Sequence, residues 1–247
     1  LRNIVAACQA RGAKVAIQLN HAGRKCYAKA EPYIHAPSAI AFSDEYRCPR
    51  EIQQDEIAEV VDAFRTAAKR AYLAGFDALE IHAAHGYLIS EFLSPITNKR
   101  TDAYGGSVEN RCRFPLELCR AIKAACGQDF LIEAQISGEE EAGGYTLEDT
   151  VAFAKLAEGA IDILTIRGFD GSESHPTGLN SRPGQYATLR AAEAIKKSGA
   201  RVLVAVNGGY QDPLDCERIL AETRDFERAV GAAMDFADTH PGTLVVV

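Results

Sequence analysis

The chain has 247 residues, 47% of them hydrophobic and 25% charged, a balance that excludes a disordered, collagen-like or coiled-coil protein and is long enough for one sizeable core. Its 34 acidic and 27 basic residues give a net charge of -7 with no Lys/Arg stripe, which argues against nucleic acid as a partner. No apolar run approaches the roughly 20 residues that cross a bilayer and no signal-peptide layout opens the sequence, so neither a membrane span nor export is expected and the expected compartment is cytoplasmic.

In chain order, the pattern opens on a helix over Leu1 to Arg11 and then alternates. Short apolar strands are predicted at Val15 to Leu19, Ala78 to His82, Phe130 to Ser137, Ile161 to Arg167 and Arg201 to Asn207. Helical periodicity is predicted at Asp55 to Ala74, Glu109 to Ala125, Thr146 to Glu158, Thr188 to Ser198 and Pro213 to Ala221. Near-continuous hydrophobicity suits parallel strands covered on both faces, and glycines such as Gly75 and Gly199 close helices with a left-handed turn.

Alternating strands and helices imply a parallel sheet with right-handed crossovers. Long polar connections follow the strands, whereas the returns from helix to strand are short, and a TIM (β/α)8 barrel builds its active site on that one rim. A single domain over residues 1–247 is therefore expected. A closed barrel also needs strands before Leu1, and the ending, with an acidic amphipathic pattern at Arg224 to Ala237 and an apolar tail at Thr243 to Val247, does not read as a final barrel strand. The expectation is a barrel truncated at its N-terminus and altered or incomplete at its C-terminus.

Seven cysteines are odd in number and scattered, which argues against a disulfide framework. Cys112, Cys119 and Cys126 recur every seven residues, one face of a helix, and are read as packing residues rather than metal ligands. No metal site is assigned.

The chemistry concentrates where the second strand ends, Glu80-Ile81-His82-Ala83-Ala84-His85-Gly86-Tyr87. Two neutral imidazoles can hydrogen-bond a carbonyl or phenolate-like oxygen and withdraw electron density from a conjugated double bond, while a tyrosine hydroxyl can give a proton. Gln18, at another strand end, offers a donor and an acceptor to a ring edge and would be costly if buried without a partner. Gly208-Gly209 follow the last strand, where phosphate-binding barrels expose backbone amides. Arg100, Asp102 and Arg111 read as a brace between a long loop and the rim, and His175 as a loop residue with no assigned role.

Several stretches resemble the old yellow enzyme family of flavin-dependent ene-reductases: Gln18-Leu19-Asn20-His21-Ala22-Gly23-Arg24-Lys25, Ala74 through Pro95, and Thr97 through Arg111. Ser137-Gly138-Glu139 and Gly143-Gly144-Tyr145 are similar to the bacterial 2-enoate and dienoyl reductase branch. The resemblance implies FMN as cofactor, NAD(P)H as reductant and a small unsaturated carbonyl compound as substrate. By the same resemblance Gln18 and Gln135 meet the flavin, Gly208 and Gly209 its phosphate, His82 and His85 the substrate oxygen, and Tyr87 the proton transfer. Self-association is left open.

The sequence departs from the family pattern at Gln135, where relatives carry an arginine ahead of Ile-Ser, so hydrogen bonding is kept and a charge is lost. It departs again at Arg224-Asp225-Phe226-Glu227-Arg228-Ala229-Val230-Gly231, where a Gly-Arg phosphate motif is expected. Two other readings stand beside the ene-reductase: a non-catalytic barrel fragment, and a non-redox phosphate-binding barrel of the aldolase or isomerase kind with Glu133 as its base.

Overall fold

The computed structural model describes residues 1–26, 33–140, 143–167, 182–207, 214, 216 and 217, with backbone alone for 182–187. Gly208, Gly209, His175 and the expected elements at Arg224 to Ala237 and Thr243 to Val247 lie outside the described residues, as does most of the expected helix Pro213 to Ala221.

The order is α1 (Arg2–Gln9), β1 (Ala16–Leu19), a 3-10 turn (Gly23–Lys25), β2 (His35–Ala36), β3 (Arg50–Glu51), α2 (Gln54–Ala74), β4 (Ala78–Ala83), α3 (Leu88–Leu93), α4 (Val108–Arg111), α5 (Arg113–Cys126), β5 (Leu131–Ser137), α6 (Leu147–Leu156), β6 (Ile163–Arg167), α7 (Arg182–Lys197) and β7 (Leu203–Asn207). Strands β1, β4, β5, β6 and β7 pair in parallel in that sequential order, the wall of an α/β barrel. The expected helix Glu109 to Ala125 is two helices, α4 and α5, meeting at Cys112.

Each strand of the wall has two unlike faces. Leu79, Ile81, Ala83, Ile132, Ala134, Ile136, Leu164, Ile166 and Val204 are buried in the main apolar cluster. At about 1.5–3 kcal/mol for each large side chain, their burial is the main force holding helices to sheet. The alternate positions carry Gln18, Glu80, His82, Glu133, Gln135, Thr165, Arg167 and Asn207, so the inner face is polar rather than continuously apolar. A two-residue period imposes that separation whenever one face is covered.

The returns follow local rules. Gly75 caps α2 at φ 95°, Gly199 turns at φ 77° after α7, and a reciprocal pair of hydrogen bonds between Thr146 and Asp149 opens α6. At the entrance to the strands, buried Lys123 donates to the carbonyls of Gln128 and Phe130 and to Asp162, which also accepts from the Ile132 amide. One ammonium thereby pins the starts of β5 and β6.

Cys112, Cys119 and Cys126 are buried around α5 as expected, and burial pushes the Cys119 thiol up to about 12. Among the described residues no group of three His, Cys, Asp or Glu could hold a metal ion, and no helix is long and apolar enough to cross a membrane.

Candidate active site

His82 is the inward-facing residue near the end of β4, and the chain then breaks sharply. His85 has φ 59° and Gly86 φ 68°, two successive left-handed residues, the first of them not glycine. That backbone is unfavourable for histidine by about 1–3 kcal/mol and is held by its surroundings. It folds His85 back over His82 and starts α3 at Tyr87.

The result is a compact cluster. His85 Nδ1 lies 3.2 Å from His82 Nε2, and the Tyr87 ring centroid is 5.2 Å from that of His82. His82 Nδ1 and His85 Nε2 are buried with no hydrogen-bond partner. Native interiors rarely leave such atoms bare, and each is free to meet a group of a ligand. Burial first, then the positive charges of Arg167 and Lys25, lowers both histidines to about 4, so both imidazoles are neutral at physiological pH.

The loop after β1 is locked against this segment. Lys25 Nζ donates to the His85 carbonyl at 2.8 Å, and the Leu88 amide donates to the His21 carbonyl at 3.1 Å. The Gly23 amide donates to His21 Nδ1, and the Arg24 amide to buried Glu91 on α3. Gly23 is required there, since its φ is +56° and a Cβ would stand 2.2 Å from Glu91 Oε1 and 2.8 Å from the Leu88 amide nitrogen.

The expected brace is present. Arg100 donates to the carbonyls of Pro37 and Ile52 and binds Asp102 through two nitrogens, while Arg111 donates to the Leu93 carbonyl and pairs with Asp149 at 3.1 Å. Their role is structural, holding the loop that covers α3.

Gln18 is exposed, because Ala16 and Gln18 lie on the open inner face of β1, and its amide nitrogen donates to Glu80 Oε1 at 2.5 Å. Its carbonyl oxygen remains for another donor. Gln135 is 4% exposed, stands in register with His82, and accepts from Arg167 Nη1 at 3.3 Å. Glu133, the alternative base, accepts from Thr165 at 2.5 Å, and burial raises its pKa.

Arg167 was missed by the sequence reading, although Ile163-Leu164-Thr165-Ile166-Arg167 alternates and puts arginine on the polar face at the strand's C-terminal end. Lys25 was likewise given no role.

A parallel wall with its polar cluster at the C-terminal ends of the strands defines the α/β-barrel class. The chain belongs to the NADH:flavin oxidoreductase / NADH oxidase family, whose profile matches residues 1–229. It is 41% identical over 216 residues to an NADPH dehydrogenase of Clostridium acetobutylicum, covering 86% of this chain and 61% of that one. It is 42% identical over 228 residues to an NADH oxidase of Thermoanaerobacter brockii, covering 90% and 35%. The chain therefore spans about three-fifths or less of these relatives.

Among solved structures it is similar to 2-naphthoyl-CoA reductase in complex with 2-naphthoyl-CoA, at TM-score 0.82 and 31% identity, covering 90% of this chain and 36% of that one. Morphinone reductase in complex with tetrahydroNAD gives TM-score 0.61 and 27% identity, covering 83% and 65%.

Proposed function

We propose that this barrel acts as an FMN-dependent oxidoreductase that takes electrons from NAD(P)H and reduces the C=C bond of a small α,β-unsaturated carbonyl compound. The observation that carries the reading is the pair of buried, unpartnered nitrogens, His82 Nδ1 and His85 Nε2, beside Tyr87. Neutral imidazoles polarise an oxygen without presenting a full charge, which suits a carbonyl whose negative charge grows only as the double bond is attacked.

The inner wall fits a flavin ring edge. Gln135 turns its amide oxygen toward Arg167 and thus its NH2 away, while Gln18 gives its NH2 to Glu80 and keeps its carbonyl oxygen. One donor and one acceptor are what a pyrimidine edge requires, so Gln18 and Gln135 are the residues that would hold it. Gly208 and Gly209 are the proposed phosphate contacts. When bound, FMN supplies the hydride.

The protein's own part is then to hold the substrate oxygen at the N–H that the histidine pair leaves free, to present the Tyr87 hydroxyl as the proton source for the α-carbon, and to keep this cluster away from bulk water. Two similar proteins are named as reductases, of morphinone and of 2-naphthoyl-CoA, and relatives are named for NADPH and NADH, which supports the same class of reaction. A cytoplasmic location and a small-molecule partner belong to the same reading.

The test is direct. Purified protein should carry flavin absorbance through gel filtration and oxidise NADPH or NADH in proportion to added 2-cyclohexenone, forming cyclohexanone. Protein that stays colourless after incubation with FMN would refute the reading.

A further inference from the structure

A second polar unit stands beside the histidines. Thr165 of β6 is in register with Gln135 of β5, and Arg167 with Ser137, so the Arg167 and Gln135 side chains share the inner face at neighbouring steps. Arg167 Nη1 donates to Gln135 Oε1 at 3.3 Å. A guanidinium has donors only, so it dictates the amide's orientation: oxygen toward Arg167, NH2 turned away from it. The otherwise ambivalent glutamine is thereby converted into a donor, and one polarised by a positive charge behind it.

The charge reaches the active site as well. After burial, the positive charge of Arg167 is the next cause that lowers both His82 and His85. Charge and donor therefore arrive from the same side of the wall. The positive charge that the sequence lacks at position 135 is restored from the adjacent strand.

We propose that Arg167 and Gln135 form one donor-only unit that receives the negatively charged edge of the reduced flavin ring, Gln135 touching it and Arg167 positioning Gln135 and supplying the charge. The inference rests on the flavin reading above. A two-electron-reduced isoalloxazine carries negative charge spread over its N–C=O edge near neutral pH, whereas the oxidised ring is neutral. A donor backed by a cation favours the reduced form over the oxidised one.

The unit makes a prediction that a merely structural arginine does not. In FMN-loaded protein, Arg167→Gln should weaken binding of reduced FMN about tenfold more than binding of oxidised FMN, the scale of one charge-assisted hydrogen bond. Sulfite, whose addition to the oxidised ring creates the same negative edge, should bind about tenfold more weakly. Arg167→Lys, which keeps the charge without the planar fork, should hold the ratio of reduced to oxidised affinity within about threefold of the parent. It also serves as the deciding variant should Arg167→Gln not fold.

Three results would overturn the proposal. Equal losses of both FMN forms in Arg167→Gln would make Arg167 a wall support. An unchanged ratio with weakened binding of benzoate would assign the charge to a substrate anion. A tenfold fall in the ratio for Arg167→Lys would show that charge is not what counts. Failure of the parent to bind either form of FMN would instead refute the flavin reading itself, a result separable from the other three.

Discussion

His85 Nδ1 and His82 Nε2 stand 3.2 Å apart and share one hydrogen bond. With both rings neutral, the proton count is fixed: whichever nitrogen donates, the two outward nitrogens, His82 Nδ1 and His85 Nε2, are one N–H and one bare acceptor. The pair therefore offers one donor and one acceptor in a fixed arrangement, and removing either ring releases the other from it. A para-substituted phenol, able to give and take a hydrogen bond, should bind the oxidised flavin protein with a long-wavelength charge-transfer band. His82→Ala and His85→Ala should each weaken it about tenfold or more, and the double variant little further. Fully additive losses in spectral titrations would show that the histidines act independently.

Tyr87 starts α3 with its ring against His82, and the proposed reading gives its hydroxyl the proton transfer and no part in the entry of electrons. Tyr87→Phe should slow enone reduction by about 100-fold, within the usual range for a general acid, and leave flavin reduction by NAD(P)H near the parent rate. Stopped-flow traces of the two half-reactions check this. The reverse pattern would remove Tyr87 from proton transfer.

Glu91 is buried, accepts from the Arg24 amide through one oxygen, and leaves the other without a partner; desolvation raises its pKa to about 8. Its ordinary value is 4.5, so between those values the folded protein binds a proton that the unfolded chain releases. Stability from this group is full below pH 4.5 and is lost as the pH rises toward 8. Glu91→Gln keeps an acceptor for Arg24 and cannot ionise. In urea titrations at pH 8.5 it should be more stable than the parent by about 2–4 kcal/mol, with the difference vanishing near pH 4.5. A difference independent of pH would mean that Glu91 is charged in the fold.

Gly23→Ala combines a left-handed φ with contacts of 2.2 Å to Glu91 Oε1 and 2.8 Å to the Leu88 amide. The expected cost is at least ~2 kcal/mol, with weakened phenol binding because the same contact holds the β1 loop against the histidine segment. Thermal unfolding and the charge-transfer titration read the two effects. A variant as stable as the parent would show that the two loops are not rigidly joined.

The wall of the barrel was legible because β4, β5 and β6 carry apolar residues at every second position between glycine-ended helices, and the period survives packing. The break at Cys112 was not, since Val108 to Cys126 holds one helical period across it and only backbone geometry separates α4 from α5. His82, His85 and Tyr87 were legible as types at a strand end. Their mutual hydrogen bond was not, because it depends on His85 adopting φ 59°. Gln18 was legible as a strand-end amide, but its hydrogen bond to its register partner Glu80 was not, and Arg167 was overlooked because a partner on the next strand has no signature in local sequence.

In the proposed function, the cluster at the end of β4 activates a conjugated carbonyl for reduction. The most direct measurement is an anaerobic single turnover, mixing the reduced flavin protein with 2-cyclohexenone while following flavin absorbance and product together. The expected result is flavin reoxidation with one cyclohexanone formed per flavin, and loss of that reaction in the His82→Ala, His85→Ala double variant. Reduced flavin that ignores the enone but is reoxidised at once by oxygen would contradict it.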